Sequence, residues 1–243
     1  MRESAALQPE DMRDGMVTLL EGPFDPSQHA LIFTHVPKCG GTSLHETLAG
    51  LIGRDRYRVF TGEPYDRALL PKLLGAGGHQ RFGQNPTHAQ GRGIVYVTVL
   101  RDPLDRFRSF FNHVRRVEGH PLRVANPVVG RMAPRELIDY LDEIKNPSVS
   151  NFASWMLAPG ARTAEDVISH VERNYSLVGI LENMTGFHCG LSKMFPGYKV
   201  ETFNLNRTRD FMEPIVLDNP LLIERVREIN ELDYALYEHF RVT

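Results

Sequence analysis

Two apolar runs stand out along the chain, and each is followed by a polar turn and a helical pattern. The first run is Leu31 to Val36 and the second is Ile94 to Leu100. Both are rich in β-branched residues and almost uninterrupted, as in parallel strands covered on both faces. After the first run, Leu44, Leu48 and Ile52 recur at helical spacing. This pattern predicts strand, turn and helix.

The second run predicts the same arrangement. Asp102 follows it and can cap a helix that has Pro103 in its first turn. The apolar positions of that helix are Leu104, Phe107, Phe111 and Val114. Alternation of strands and helices in the first half predicts an α/β fold, with a central parallel sheet flanked by helices.

The hydrophobic pattern predicts the remaining strands and helices less strongly. Tyr57 to Phe60 and Ser176 to Ile180 are predicted as strands, and Gly75 to Gly78 is interpreted as a flexible connector or a place of close backbone approach. The second half is predicted to be rich in helix. Its predicted helices are Pro134 to Ile144, Val149 to Leu157, Ala164 to Glu172, Met184 to Phe195 and Leu221 to Phe240. Residues 1–29 are interpreted as a partly ordered leader and residues 30–243 as one domain.

Composition narrows the class of protein. The chain has 243 residues, 42% of them apolar and 24% charged, with a net charge of -2. This balance argues against a protein that coats nucleic acid, so an anion site must be a local basic cluster. Both cysteines, Cys39 and Cys189, are interpreted as free thiols. With no apolar N-terminal run or membrane-length run, we expect a cytoplasmic protein.

The turn after the first strand carries candidate chemistry. It reads Pro37-Lys38-Cys39-Gly40-Gly41-Thr42-Ser43. A glycine turn that opens a helix directs backbone N–H groups and a positive helix end at phosphate or sulfate oxygens. Lys38 precedes the glycines, whereas a Walker A loop has its lysine after them. This order disfavours a kinase, although an ordinary structural turn remains an alternative.

A second candidate follows the strongest strand. Arg101 stands at its carboxyl end, where open α/β sheets bind ligands, and Ser109 lies about two helical turns further on. Together they can hold a phosphate through a guanidinium fork and a hydroxyl group. Four further arginines follow, and each is interpreted as part of a solvated helix face: Arg106, Arg108, Arg115 and Arg116.

Together these two motifs resemble those of sulfotransferases that use 3′-phosphoadenosine-5′-phosphosulfate (PAPS). The likeness is closest to the carbohydrate branch related to heparan-sulfate 2-O- and 6-O-sulfotransferases and bacterial relatives. Pro37 to Leu44 is similar to that family's 5′-phosphosulfate loop and Val99 to Phe111 to its 3′-phosphate motif. Gly78 to Gly83 resembles the segment that bears the catalytic histidine. Weaker landmarks are Val178 to Glu182 and Asn204 to Asn206.

The resemblance implies a P-loop-NTPase-like three-layer fold and a role for each matching residue. Lys38 would stabilise charge on the bridging oxygen as the product, 3′-phosphoadenosine-5′-phosphate (PAP), leaves. The 5′-phosphate would lie in a cradle, and Arg101 and Ser109 would hold the 3′-phosphate. The cradle residues are Lys38, Cys39, Gly40, Gly41, Thr42 and Ser43.

His79 is the candidate general base, because a histidine suits proton transfer near neutral pH. Glu63, in a predicted loop, is the reserve base, since some sulfotransferase branches use a glutamate. His35 and His113 are further rivals. His35 is expected to pack in the core and His113 to line the pocket.

These observations lead to a PAPS-dependent O-sulfotransferase acting on a sugar or another hydroxylated acceptor, with no metal, no nucleic-acid partner and no membrane span. The alternatives are a P-loop-like small-molecule kinase and a catalytically silent PAP-binding protein on the same fold. The segment from Glu118 to Pro134 is a candidate contact for an anionic glycan or an ordinary solvated loop.

Overall fold

A computed structural model describes residues 19–60, 72–84, 91–197 and 219–242 of the chain. Within these residues the strands form one five-stranded parallel sheet in the order β2-β3-β1-β4-β5. The strands are β1 His29–Thr34, β2 Tyr57–Phe60, β3 Gly75–Gly78, β4 Gly93–Leu100 and β5 Tyr175–Ile180.

The helices are α1 Gly41–Ile52, α2 Pro103–Arg116, α3 Pro121–Ala125, α4 Pro134–Glu143, α5 Phe152–Leu157, α6 Ala164–Asn174, α7 Met184–Met194, α8 Pro220–Ile229 and α9 Glu231–Val242. Among the described residues, short 3₁₀ turns lie at Pro127–Arg131 and Pro147–Val149. α1 packs against β2 and β3, while α6, α7 and α9 pack against β5. The predicted α/β fold and the helix-rich second half are confirmed.

The central strands are covered on both faces. From Ala30 to Thr34 and from Ile94 to Leu100 every residue is buried. Successive side chains of a strand point to opposite faces, so burial of both sets requires a layer on each side of the sheet. The apolar runs therefore predicted both strands and their central position.

The strand order has a switch point at β1. The chain leaves β1 through α1 toward β2, and later leaves β3 to form β4 on the other side of β1. Connections that diverge in this way open a crevice at the carboxyl ends of the strands, where ligands of open α/β sheets bind. The loops after β1 and β4 meet at this crevice.

The glycine cluster at residues 75–78 is a strand, so its interpretation as a flexible connector is wrong. β3 lies between β2 and β1 and is buried along its length. A Cβ atom on Gly75 would lie 2.5 Å from Cδ1 of Ile52, and one on Gly77 would lie 2.5 Å from the Tyr57 hydroxyl oxygen. Glycine is needed here because side chains from α1 and β2 occupy the space over β3.

The predicted long helix from Leu221 to Phe240 is two helices, α8 and α9, separated at Asn230. The Asn230 side-chain amide donates to the carbonyl oxygens of Val149 and Val226, at 2.8 and 2.9 Å. This side chain is buried, and its bonds to a neighbouring segment stabilise the break. Similarly, the predicted helix from Val149 to Leu157 is a 3₁₀ turn followed by α5.

The described part of the leader packs on the domain. The backbone N–H of Phe24 donates to the Met194 carbonyl oxygen at 2.7 Å, and that of Leu20 donates to the Ser176 hydroxyl at 2.9 Å. Phe24 itself is buried. Residues 1–18 lie outside the described part, and the domain boundary at residue 30 stays a prediction.

Two apolar clusters form the core. The larger surrounds the sheet, and the smaller joins α2, α4 and α8 through residues such as Phe111, Leu137 and Val226. The smaller cluster fixes α2, the helix that begins just after Arg101, against the second half of the chain. Within the described residues, no helix has the length and apolar character needed to cross a membrane.

Candidate active site

Three residues stand directly after three neighbouring strands at one edge of the sheet. His35 follows β1, His79 follows β3 and Arg101 follows β4. Because the strands are parallel and adjacent, their carboxyl ends bring these residues together. The His35 and His79 ring centroids are 4.7 Å apart, and the His35 N–H donates to the Gly78 carbonyl oxygen at 2.9 Å. The sheet edge therefore carries two imidazoles beside an arginine.

The turn after β1 has an unusual backbone. Lys38 and Gly40 both have left-handed φ angles, of 75° and 76°. A Cβ atom on Gly40 would lie only 2.6 Å from Cδ1 of Leu181, so glycine is required there by both conformation and space. α1 begins at Gly41, and no side chain caps its N-terminus. The positive end of the helix is thus directed at the crevice.

Cys39 lies inside this turn. Its N–H donates to the Val36 carbonyl oxygen at 3.2 Å, and its side chain is buried. Burial raises the pKa of the Cys39 thiol to about 12, so the thiol stays protonated and unreactive near neutral pH. Both the buried Cys39 and the exposed Cys189 are free thiols, as predicted.

Arg101 connects the two loops. Its Nη1 donates to the Lys38 carbonyl oxygen at 3.1 Å, and its Nε lies 4.0 Å from Oε1 of Glu182. The Nε atom is buried and has no hydrogen-bond partner among the described residues. Glu182 also accepts from the backbone N–H of Asp102 at 3.2 Å. The side chain of Arg101 therefore keeps an unsatisfied donor at the crevice.

Positive charge is concentrated around Lys38. Burial, followed by the positive charges of Arg116 and Arg101, lowers the pKa of the Lys38 ammonium to about 8. An ammonium group with a lowered pKa gains most from a bound anion, because the anion restores the charged form. This cluster is arranged for an anionic ligand.

Helix α2 presents one face to Lys38. Ser109, His113 and Arg116 recur at intervals of four and three residues, so they share a face of the helix. Burial and then the charge of Lys38 lower the pKa of His113 to about 4, and its Nδ1 atom is buried without a hydrogen-bond partner in the described part of the chain. His120 has a pKa lowered by burial and by Lys38 as well. Ser109 is half-buried on this face.

His79 follows β3 at the same edge. The side chain of the next residue, Gln80, donates to the Phe60 carbonyl oxygen at 3.0 Å and ties this segment to β2. Burial, with the charge of Lys38 as a second cause, lowers the pKa of His79 below its usual value. The imidazole is therefore neutral near pH 7 and able to accept a proton.

Several sequence-based expectations change on inspection of the site. Glu63 and the segment Asn204 to Asn206 lie outside the described residues. Arg106 is buried, so its interpretation as part of a solvated face is wrong. Two of its guanidinium nitrogens donate to the Ser148 carbonyl oxygen at 3.2 Å, which gives Arg106 a structural role. His35 is half-buried and contacts His79 rather than packing fully in the core.

Sequence reasoning gave no site role to Arg116 or His120, and it assigned Glu182 none beyond a weak landmark. Glu182 directly follows β5 with Leu181, and strand-end position is the signal that would have placed it here. Arg116, at the end of α2, and His120, shortly after it, lie far along the chain from Lys38, and only the tertiary fold brings them near it.

The sequence profile described as "Sulfotransferase family" matches residues 24–240. The chain belongs to the sulfotransferase family. The match spans the whole described site, which confirms the resemblance seen in the two loop motifs. No curated protein matches the chain at a significant level. Among solved structures, the sulfotransferase is similar to mouse sulfotransferase SULT7A1 complexed with PAP, at 13% identity and a TM-score of 0.34, over 90% of this chain and 91% of that one.

The sulfotransferase carries one further cluster near His79, at the surface. The Arg81 guanidinium lies 4.4 Å from the centroid of the Trp155 ring, and its Nε donates to the Trp155 carbonyl oxygen at 3.2 Å. Trp155 is 40% exposed and stacks against Phe152. An exposed ring and a guanidinium held against it, two residues after the candidate base in the chain, are suited to contact a substrate.

Among the described residues, no group of three or more His, Cys, Asp or Glu side chains is arranged to hold a metal ion.

Proposed function

We propose that this sulfotransferase moves the sulfuryl group of PAPS to a hydroxyl group of a carbohydrate acceptor. The observation that carries the proposal is the basic cluster at the switch point of the sheet. Burial, followed by repulsion from the positive charges of Arg116 and Arg101, lowers the pKa of the Lys38 ammonium to about 8. A ligand with phosphate groups at both ends relieves that repulsion.

The two ends of PAPS have separate partners in this proposal. The 5′-phosphosulfate lies at the start of α1, against Gly40 and Gly41, with Thr42, Ser43 and Lys38 beside it. Cys39 contributes to this turn through its buried side chain. The 3′-phosphate lies between Arg101 and Ser109, and the half-buried guanidinium of Arg101, whose Nε lacks a hydrogen-bond partner among the described residues, supports this placement. This contact selects PAPS against nucleotides that lack a 3′-phosphate.

His79 is the proposed general base. It takes the proton of the acceptor hydroxyl as the oxygen attacks sulfur, and the bond between sulfur and the bridging oxygen breaks. Lys38 stabilises the negative charge that grows on that oxygen as PAP leaves. The lowered pKa of His79 keeps the imidazole unprotonated at neutral pH, as this step requires. Glu63 is the reserve base.

A carbohydrate acceptor is supported by the surface next to His79. Trp155 offers an exposed ring to the apolar face of a sugar, and Arg81 offers a guanidinium that can bind an acid group bidentately. The earlier candidate segment, Glu118 to Pro134, contributes less. Its Arg123 donates to the Arg115 carbonyl oxygen at 2.8 Å and supports the segment itself.

Titration calorimetry with PAP, ADP and ATP tests the donor site. We expect PAP to bind with a dissociation constant in the micromolar range or below, and ADP to bind more weakly because it lacks the 3′-phosphate. Failure of the folded protein to bind PAP would overturn the proposal. Tighter binding of ATP than of PAP would instead support a kinase.

A screen of glycan acceptors with labelled PAPS tests the acceptor. We expect transfer to sugars that carry acid groups, with a raised KM in Trp155→Ala and Arg81→Ala and unchanged PAP affinity. If PAP binds but no acceptor in a broad library is sulfated, a silent PAP-binding protein becomes the better description.

A further inference from the structure

A line of buried polar side chains extends from the donor loop into the sheet. Nδ1 of His45, on α1, lies 2.8 Å from the hydroxyl oxygen of Tyr57, on β2. Nε2 of His45 lies 3.3 Å from Nδ1 of His35, which follows β1. The His35 ring in turn contacts the His79 ring. Three consecutive parts of the chain, the turn after β1, α1 and β2, thus form one connected hydrogen-bonded row, Tyr57–His45–His35.

Two glycines make room for this row. A Cβ atom on Gly77 would lie 2.5 Å from the Tyr57 hydroxyl oxygen and 2.7 Å from Cε1 of His45. A Cβ atom on Gly41 would lie 1.8 Å from Nε2 of His35. Any larger residue at either position would displace the row. The space over Gly41 and Gly77 is therefore occupied by the row itself.

The hydroxyl proton of Tyr57 determines the direction of the hydrogen bonds in this row. Tyr57 is buried, and His45 is the hydrogen-bond partner of its hydroxyl group among the described residues. A buried hydroxyl that lost this bond would carry an unsatisfied donor. Burial also raises the pKa of Tyr57 well above its usual value, so the hydroxyl keeps its proton. Tyr57 therefore donates to Nδ1 of His45.

The direction of this hydrogen bond determines the tautomers of His45 and His35. Burial lowers the pKa of His45 to about 4, and burial with neighbouring charge lowers that of His35, so both rings are neutral near pH 7. A neutral imidazole has one N–H group. Since Nδ1 of His45 accepts from Tyr57, its Nε2–H donates to Nδ1 of His35. The proton of His35 is then on Nε2, against Gly41 at the start of α1.

We propose that His35 is a further donor-binding residue of this sulfotransferase, and that Tyr57 and His45 are positioning residues that hold it in the Nε2–H tautomer. This inference rests on the proposed function, because the ligand is the 5′-phosphate end of PAPS. Nε2–H of His35 donates one hydrogen bond to an oxygen at that end. A neutral donor adds no positive charge next to His79, and this leaves the base unprotonated.

Nitrogen-15 NMR of the histidine side chains in the ligand-free protein tests the row directly. The two ring nitrogens of a neutral histidine differ in chemical shift, which identifies the tautomer. We expect His35 and His45 to be Nε2–H in the wild type, and we expect His35 to become a mixture of tautomers in Tyr57→Phe. A wild-type His35 with its proton on Nδ1 would overturn the proposal, whatever the enzyme does.

Titration of the wild type and of two His35 variants with PAP tests the contact between His35 and the ligand. His35→Ala is expected to weaken PAP binding about 10- to 100-fold, as for a lost hydrogen bond to a charged group. His35→Gln, which carries an N–H donor at a similar reach, is expected to recover most of that loss. Equal affinities for all three proteins would overturn the role of His35.

Tyr175→Phe is the matched control for Tyr57→Phe. Tyr175 is also buried on the sheet, but its hydroxyl oxygen lies 3.3 Å from the Thr34 hydroxyl and 3.4 Å from the Leu157 carbonyl oxygen, away from the row. We expect Tyr57→Phe to weaken PAP binding severalfold and Tyr175→Phe to leave it unchanged, although both lose a buried hydroxyl group. Similar losses in both variants would mean a general structural effect and would count against the proposal.

The two measurements separate this proposal from the proposed function. If the wild type binds no PAP, the proposed function fails and the donor-binding role of His35 fails with it. The tautomers of the ligand-free protein still decide whether Tyr57 and His45 position His35.

Discussion

This sulfotransferase has two regions of buried or partly buried polar side chains. The two regions differ in whether these side chains find hydrogen-bond partners inside the protein. The first, the helix junction, consists of Asn151, Asn230 and Asp233. The Asp233 carboxylate accepts from the N–H groups of Ala153 and Ser154, at 2.9 and 2.7 Å, and from the Ser154 hydroxyl at 2.7 Å. Oδ1 of Asn151 accepts from the Leu232 N–H at 2.9 Å. Here partners inside the protein satisfy the buried groups.

The second region, the site edge, consists of Lys38, Arg101, His35, His79 and His113. Its groups are basic, and burial followed by their mutual repulsion lowers the pKa values of Lys38 and of the three histidines. Among the residues that the structure describes, Nε of Arg101 and Nδ1 of His113 are buried without a hydrogen-bond partner. The comparison teaches that a satisfied buried network stabilises the fold, whereas an unsatisfied network of one charge sign indicates a ligand from outside.

The largest expected effect is at the site edge. His79→Ala is expected to lower the rate of sulfuryl transfer by about 100- to 10,000-fold, the usual contribution of a general base. PAP affinity should stay unchanged, since the base acts on the acceptor. Single-turnover rates with labelled PAPS and PAP calorimetry measure the two quantities. An active His79→Ala enzyme would remove the base assignment and direct the same experiment to Glu63.

Substitutions in the helix junction are expected to lower the stability of the protein and to leave its affinity for PAP unchanged. Asp233→Ala leaves the first N–H groups of α5 without an acceptor, and we expect the free energy of unfolding to fall by about 3 kcal/mol. Asp233→Asn keeps the shape and one acceptor oxygen and should lose less. Urea unfolding gives the stability, and PAP affinity of the folded variants should match the wild type. If Asp233→Ala lost PAP affinity without losing stability, the helix junction would have a role in binding, and the proposed difference between the two regions would be wrong.

Arg101→Ala is expected to weaken PAP binding by about 10- to 100-fold, because a hydrogen-bonded charge at the 3′-phosphate is lost. The variant should also lose most of the preference for PAP over ADP. Arg135→Ala is the control for net charge, since Arg135 lies on α4 in an exposed pair with Asp139. Equal losses in both variants would indicate long-range charge rather than a phosphate contact.

The smallest expected effect is the pH dependence of binding. The free protein has a Lys38 pKa of about 8, and bound phosphate favours the ammonium form, so the pKa in the complex is higher. As pH rises above about 8, PAP affinity should therefore fall, by at most about tenfold per pH unit. Lys38→Arg stays charged throughout and should show little dependence over that range. Calorimetry at several pH values compares the two, and parallel profiles would exclude Lys38 as the titrating group.

The amino-acid sequence by itself determined the central strands, the two loops and the fold class. Continuous apolar runs such as Ile94 to Leu100 can be buried only between two layers, and the glycine turn with Lys38 in front of it indicates the family when it is taken together with the Arg101 motif. Arg101 was expected at the carboxyl end of such a strand, and it directly follows β4. Local pattern carries this information, since burial and turn geometry act on neighbouring residues.

Tertiary structure alone decided the rest. β3 has no strand pattern, and Gly75 and Gly77 are required only because Ile52, His45 and Tyr57 occupy the space above them. Likewise, the sequence does not distinguish Arg106 from the other arginines of α2. Its side chain is buried in the folded protein, where it donates to the Ser148 carbonyl oxygen. The charges around Lys38 come from elements that are distant along the chain, and the row from Tyr57 to His35 joins three consecutive parts of the chain through side-chain contacts. Such contacts depend on packing in three dimensions, and no local periodicity records them.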